Sequence, residues 1–198
     1  MSLTKEELSL YGQVQKKVTI KLTKLQKAKW FMNYVNISQV PGGDYSHQGT
    51  QNFDVIGTRG DNNIFAPFDC KIVAIYKELW SYGNTVIIQS LNNVQYADGT
   101  SGIMSMAFGH DNDISDLWIG KVIKQGEIFY QTGNYGPGNG GVHSHVTCIR
   151  GEYKNDMWTE QPPYGQNCSP NAIRPTEALF IGRNTEIVES MGLNFKRE

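Results

Sequence analysis

Histidine is scarce in this sequence: His47, His110, His143 and His145 are the only four in 198 residues. Cysteine is scarcer still. Cys70, Cys148 and Cys168 form an odd set with no CxxC pair, which argues against a disulfide framework and leaves a thiolate zinc site unsupported. They read as buried or incidental thiols, with a Cys148–Cys168 bridge open to a protein that works outside a cell. Excess charge is lacking too, with 18 Lys and Arg against 19 Asp and Glu and a formal net charge of −1. There is no basic field for nucleic acid and no polybasic patch for a membrane surface, so neither is expected as a partner. No stretch approaches the roughly 18 consecutive apolar residues of a membrane span. The opening "MSLTKEELSLYGQ" lacks the basic and apolar regions of a signal peptide. Its "MSL" is open to reading as a vector remnant, in which case a native leader has been cut away.

What the chain does contain is glycine, 21 residues of it, and aromatics at 11%, against only 19% charged residues. That balance suggests turn-rich β structure rather than a helix bundle, in a chain long enough for one well-buried core and short for two. "SLTKEELSLYGQ" reads as a short helix, "KKVTIKLTKLQ" alternates like a half-buried strand, and "KAKWFMNYV" is open between helix and strand. From residue 40 onward, strand-like runs alternate with turns: "NIFAPFDCKIVAIYKE" broken at Pro67, "GNTVIIQS", "GIMSMAFGH", "GKVIKQGEIFYQTG" broken at Gly126 and Gly133, and "VHSHVTCI". Helix is expected again in "RPTEALFIG" and "NTEIVESMG". The expected organisation is one mainly antiparallel β domain over residues 38–182, an N-terminal extension over 1–37 packed on it, and a helical C-terminal tail over 183–198.

Two histidines on one strand are the strongest chemical feature. Side chains alternate along a strand, so His143 and His145 point to the same face and can reach one small centre, a metal ion or a water. The preceding "NYGPGNGG" has four glycines in eight residues and lets a ligand backbone approach closely. Asp54 lies between Phe53 and Val55, where a buried carboxylate needs a partner or a cation. With His47 nearby in sequence, two imidazoles and one carboxylate suit a catalytic zinc that keeps a fourth position for water. His110 ends its run in a place to hang over a groove. No HExxH is present, so the helix-borne zinc peptidase motif is excluded.

In order and spacing these segments resemble the M23 zinc metallopeptidases, the lysostaphin and LytM-like cell-wall endopeptidases. The resemblance rests on His47…Asp54, on "FGH" ending at His110, on "TGNYGPGNGGVHSHV", on the Lys124-to-Glu127 turn and on "IRPTEAL", and runs from about residue 38 to 181. It implies a β-roll of the lysostaphin-like type. It further implies Zn2+ held by His47, Asp54 and His145, with His110 and His143 as catalytic histidines that do not bind the metal. The implied substrate is a stem or cross-bridge peptide of bacterial peptidoglycan, and the exposed aromatics around "MWTEQPPYGQN" are candidates for a substrate groove.

Two features depart from the family pattern. His47 and Asp54 stand seven positions apart, wider than is common in the family, and Asp44 is a weaker competing ligand. Ser144 stands where an apolar residue is usual. Two other readings share the architecture: a glucose-specific IIA-type histidine phosphocarrier, and a non-catalytic M23-like domain that binds wall or regulates a partner. The implied setting is the bacterial cell wall, reached as a phage lysin or as a shortened form of a secreted enzyme.

Overall fold

The computed structural model describes residues 25–79, 83–136, 141–154 and 171–198. The expected N-terminal helix, the tip of the glycine loop, the "MWTEQPPYGQN" segment and Cys168 lie outside the described residues.

In chain order the strands are β1 (Gln26–Lys27), β2 (Tyr34–Gln39), β3 (Phe53–Val55), β4 (Asn63–Phe65), β5 (Cys70–Leu79), β6 (Gly83–Ser90) and β7 (Val94–Gln95). There follow β8 (Ser101–Gly102), β9 (Met104–Asp111), β10 (Val122–Ile123), β11 (Ile128–Gln131), β12 (Ser144–Arg150) and β13 (Ala172–Ile173), the single helical turn α1 (Pro175–Ala178), and β14 (Glu186–Glu189). Nine of the strands form one sheet in the order β10-β5-β6-β9-β12-β3-β2-β14, with β13 paired to β12. Every pairing in it is antiparallel except that of β14 with β2. The small sheets β1-β7-β8 and β11-β4 complete the fold.

Period-2 alternation builds the core. Val86 and Ile88 of β6, Met104, Met106 and Phe108 of β9, and Val146 and Cys148 of β12 are buried in one cluster with Phe31, Phe53 and Phe129. Phe31 meets Phe108 edge to face, with ring centroids 5.2 Å apart. The intervening residues Ile87 and Ala107 are buried too, in a second cluster on the opposite side with Ala74, Tyr76 and Tyr153. Both faces of the central strands are therefore covered.

The main β architecture agrees with the sequence reading, and β6 spans the same eight residues as "GNTVIIQS". The C-terminal tail does not agree. "RPTEALFIG" supplies only the one turn of α1, and "NTEIVESMG" forms no helix but becomes β14. Its residues Glu186 and Ile187 pair in parallel with Tyr34 and Val35 of β2. The free edge of β2 offers backbone partners to Glu186, Ile187 and Glu189. That outweighs the weak helical preference of a segment carrying Thr185, Ile187 and Val188.

Candidate active site

Strand pairing brings the first two site residues together. In the β3–β12 register, His145 lies directly opposite Asp54, while Val55 and Phe53 lie opposite Ser144 and Val146. His145 Nδ1 is 3.0 Å from Asp54 Oδ1. His47 arrives from the loop after β2, where its carbonyl accepts the backbone N–H of Thr50 at 3.0 Å and the Thr50 hydroxyl at 3.1 Å. Its Nε2 lies 3.3 Å from His145 Nδ1 and 3.4 Å from Asp54 Oδ1. All three side chains are buried. Asp44 is exposed and outside this group.

Three donors converging in this way suit one metal ion. In four-coordinate zinc with bonds of ~2.0–2.1 Å, neighbouring donors stand ~3.3–3.4 Å apart. Two of the observed edges, 3.3 and 3.4 Å, have that spacing, and the third, at 3.0 Å, is somewhat shorter. Among the described residues this is the one group of three or more His, Cys, Asp or Glu side chains with such convergence.

The other two histidines stand beside it. His143 precedes β12, and its backbone N–H and carbonyl bond those of Gly133 at 2.9 and 3.0 Å. Its ring lies 4.3 Å, centroid to centroid, from that of His110. By strict alternation after Phe108, His110 would point into the core. It does not, because the β6–β9 register shifts: Asn84 pairs with Asp111 and Val86 with Phe108, so Gly109 and His110 together face Thr85. This β-bulge, with His110 at φ +80°, carries the side chain round to the histidine cluster. The Ser144 hydroxyl donates to the Gly109 carbonyl at 3.0 Å and ties the bulge to β12.

Protonation follows from the partners. His110 Nδ1 meets the Tyr135 carbonyl at 3.1 Å and His143 Nδ1 meets the Gly141 carbonyl at 2.9 Å. A carbonyl only accepts, so in each neutral ring Nδ1 carries the proton and Nε2 is the basic atom. Burial, reinforced by His143, lowers the His110 pKa to about 4. Burial alone would raise the Asp54 carboxyl, but hydrogen bonds to His145 and His47 outweigh it and hold the group well below the usual carboxylate range. Burial lowers His145, against the pull of Asp54. An ionised Asp54 and a neutral His145 are the forms in which these two groups bind a cation.

Sequence reasoning brought all five side chains to one place but missed their supports. Gln39 donates from Nε2 to Asp54 Oδ2 at 2.7 Å, and Ser46 donates to Gln39 Oε1 at 2.9 Å. No local motif marks either residue. Gly133 is a third support, since a Cβ there would stand 2.2 Å from the His110 carbonyl. The glycine-rich loop pointed to that region without naming the contact. Asp111, beside His110, is occupied by the backbone N–H groups of Gln131 and Asp113 at 2.8 and 3.0 Å. A cleft of about 510 Å³ opens next to the cluster, lined by Gln39, Tyr45, Asp54, Ile56, Val142 and His143 among others.

No family model matches the chain. Among curated proteins it is similar to morphogenesis protein 1 of Bacillus phage B103, 29% identical over 181 residues, covering 88% of this chain and 45% of that protein. The chain thus spans less than half the length of that relative. Among solved structures it is similar to the antimicrobial peptidase lysostaphin of Staphylococcus simulans, with a TM-score of 0.50 at 19% identity over 77% of this chain and 52% of that one. The catalytic domain of the prophage-encoded M23 protein EnpA of Enterococcus faecalis matches with a TM-score of 0.47 at 16% identity, over 71% of this chain and 88% of that one. The fold of this chain is like that of lysostaphin.

Proposed function

We propose that the chain is a zinc-dependent endopeptidase that hydrolyses peptide bonds in the stem or cross-bridge peptides of bacterial peptidoglycan. The observation that carries this reading is the buried His47–Asp54–His145 triangle, whose three donor atoms converge within 3.0–3.4 Å of one another. His47 Nε2, Asp54 Oδ1 and His145 Nδ1 would hold the ion. A zinc ion supplies there a Lewis acid for the scissile carbonyl and acidifies a water.

The remaining chemistry falls to His110 and His143. Each presents a basic Nε2 because its Nδ1 proton is held by a backbone carbonyl. One accepts the proton of the attacking water, and the other steadies the developing oxyanion once protonated. The two rings lie 4.3 Å apart, centroid to centroid, so both can serve one reacting centre. The phosphocarrier reading is disfavoured by Asp54, whose Oδ2 lies 3.9 Å from His143 Nε2 and would repel a phosphoryl group there. The similarity to a phage protein and to the antimicrobial peptidase lysostaphin supports action at the bacterial cell wall, as a phage or secreted enzyme.

Digestion of purified peptidoglycan tests the reaction class. New free amino groups without new reducing sugars are expected, with release stopped by a chelator and restored by zinc. Reducing ends without amino groups, or chelator-insensitive release, would overturn it.

A further inference from the structure

We infer that Gln39 is a positioning residue that holds Asp54 as a one-oxygen metal ligand, with Ser46 setting the orientation of its amide. The inference rests on the proposed metal centre. Three side chains stand in a row across β2, β3 and β12: Gln39 pairs with Asp54, and Asp54 pairs with His145. The first of these pairings is irregular. Ile37 pairs with Val55, so a regular register would set Ser38 opposite Asp54 and turn Gln39 toward the core. A bulge at this point sets Gln39 opposite Asp54 instead.

The hydrogen bonds fix which end of the amide faces which neighbour. The Ser46 hydroxyl donates to Gln39 Oε1 at 2.9 Å, which leaves the Nε2 donor for Asp54 Oδ2 at 2.7 Å. The Asp54 carboxylate is thereby divided. Oδ1 faces His145 and His47 at 3.0 and 3.4 Å, and Oδ2 is tied to Gln39. Untied, Oδ2 can rotate toward the metal and bind as a second oxygen, or turn toward His143 Nε2, 3.9 Å away. The first raises the coordination number and removes the open position a hydrolytic site needs, while the second engages a catalytic base. Ser46 adjoins His47, so the same relay links two ligands through the loop after β2.

Gln39 also borders the cleft, so a substrate contact is the rival role. Gln39→Met keeps the length and removes the donor, and Ser46→Ala removes only the hydroxyl that orients the amide. Zinc affinity would be measured on the whole chain by competition with a chromophoric chelator, and the visible spectrum after loading with cobalt(II). Thermal unfolding of the metal-free forms checks folding. Gln39→Met should bind zinc about 10–100-fold more weakly, and its cobalt bands should weaken as the coordination number rises. Ser46→Ala should show a smaller change in the same direction, and KM at saturating zinc should stay as in the unmodified chain. Wild-type affinity and spectrum in both variants, or a raised KM as the only change in Gln39→Met, would overturn the inference and leave the metal centre intact. Failure of the unmodified chain to take up zinc would overturn the metal centre itself. Should Gln39→Met fail to fold, Ser46→Ala alone decides.

Discussion

His110 and Tyr135 clasp each other through two hydrogen bonds. The His110 ring donates from Nδ1 to the Tyr135 carbonyl, and the Tyr135 backbone N–H donates to the His110 carbonyl, both at 3.1 Å. The ring is thus held in one tautomer and one orientation by backbone contacts with Tyr135. His110→Ala should therefore keep its metal and its fold while turnover falls on the order of 10²–10⁴-fold, the usual cost of a proton-transfer or oxyanion partner. Zinc content beside initial rates on a peptide substrate checks this. Loss of zinc in the variant would move His110 into the ligand set.

Gly133 controls the same histidine from the other side. A Cβ at position 133 would lie 2.2 Å from the His110 carbonyl and 2.9 Å from the Asn112 N. Both are backbone atoms that cannot swing away. Gly133→Ala should displace the His110 bulge and lower turnover more than it lowers zinc affinity. Equal rates in the variant and the unmodified chain would show that the bulge tolerates the shift.

Ser144 answers the departure noted in the sequence. Its side chain is buried, and its hydroxyl donates to the Gly109 carbonyl at 3.0 Å, at the bulge where regular pairing with β9 ends. Ser144→Ala removes that donor, and a buried group left without its partner costs roughly 1–3 kcal/mol. Urea denaturation should show a loss of that order, with turnover reduced through His110. No change in the denaturation midpoint would remove Ser144 from the support of the bulge.

The cysteines are expected to be silent. Cys70 and Cys148 are both buried free thiols, and burial pushes Cys70 up to about 12 and Cys148 higher still. A thiol raised in this way stays protonated, and so unreactive, at every pH below its folded value. In a chain with Cys168→Ser, a thiol-reactive chromophore should label neither residue at pH 8 until denaturant is added. Rapid labelling in the folded state would place one of them at the surface.

Much of this arrangement was legible in the sequence because histidine is rare and strands alternate. The shared face of His143 and His145 needs only the period of a strand, and Asp54 between two core residues marks itself by its cost of burial. The bulges were not legible. Each adds one residue to a strand and reverses the inside–outside pattern beyond it, so alternation misplaces both His110 and Gln39. Ser46 and Gly133 act through contacts 7 and 23 residues from the atoms they hold, and no local pattern records them. The tail was misread for the same reason. Whether "NTEIVESMG" is helix or strand is decided by the open edge of β2, far away in sequence.

The most direct measurement of the central claim is the zinc content of His143→Ala and His145→Ala, purified side by side and analysed by elemental methods. The two residues lie on the same side of the chain at the start of β12, but only His145 stands 3.0 Å from Asp54 Oδ1 and 3.3 Å from His47 Nε2. His143→Ala is predicted to retain about one zinc per chain and to lose turnover, whereas His145→Ala is predicted to lose the metal. Zinc retained in His145→Ala and lost in His143→Ala would contradict the division of the pair into ligand and catalyst.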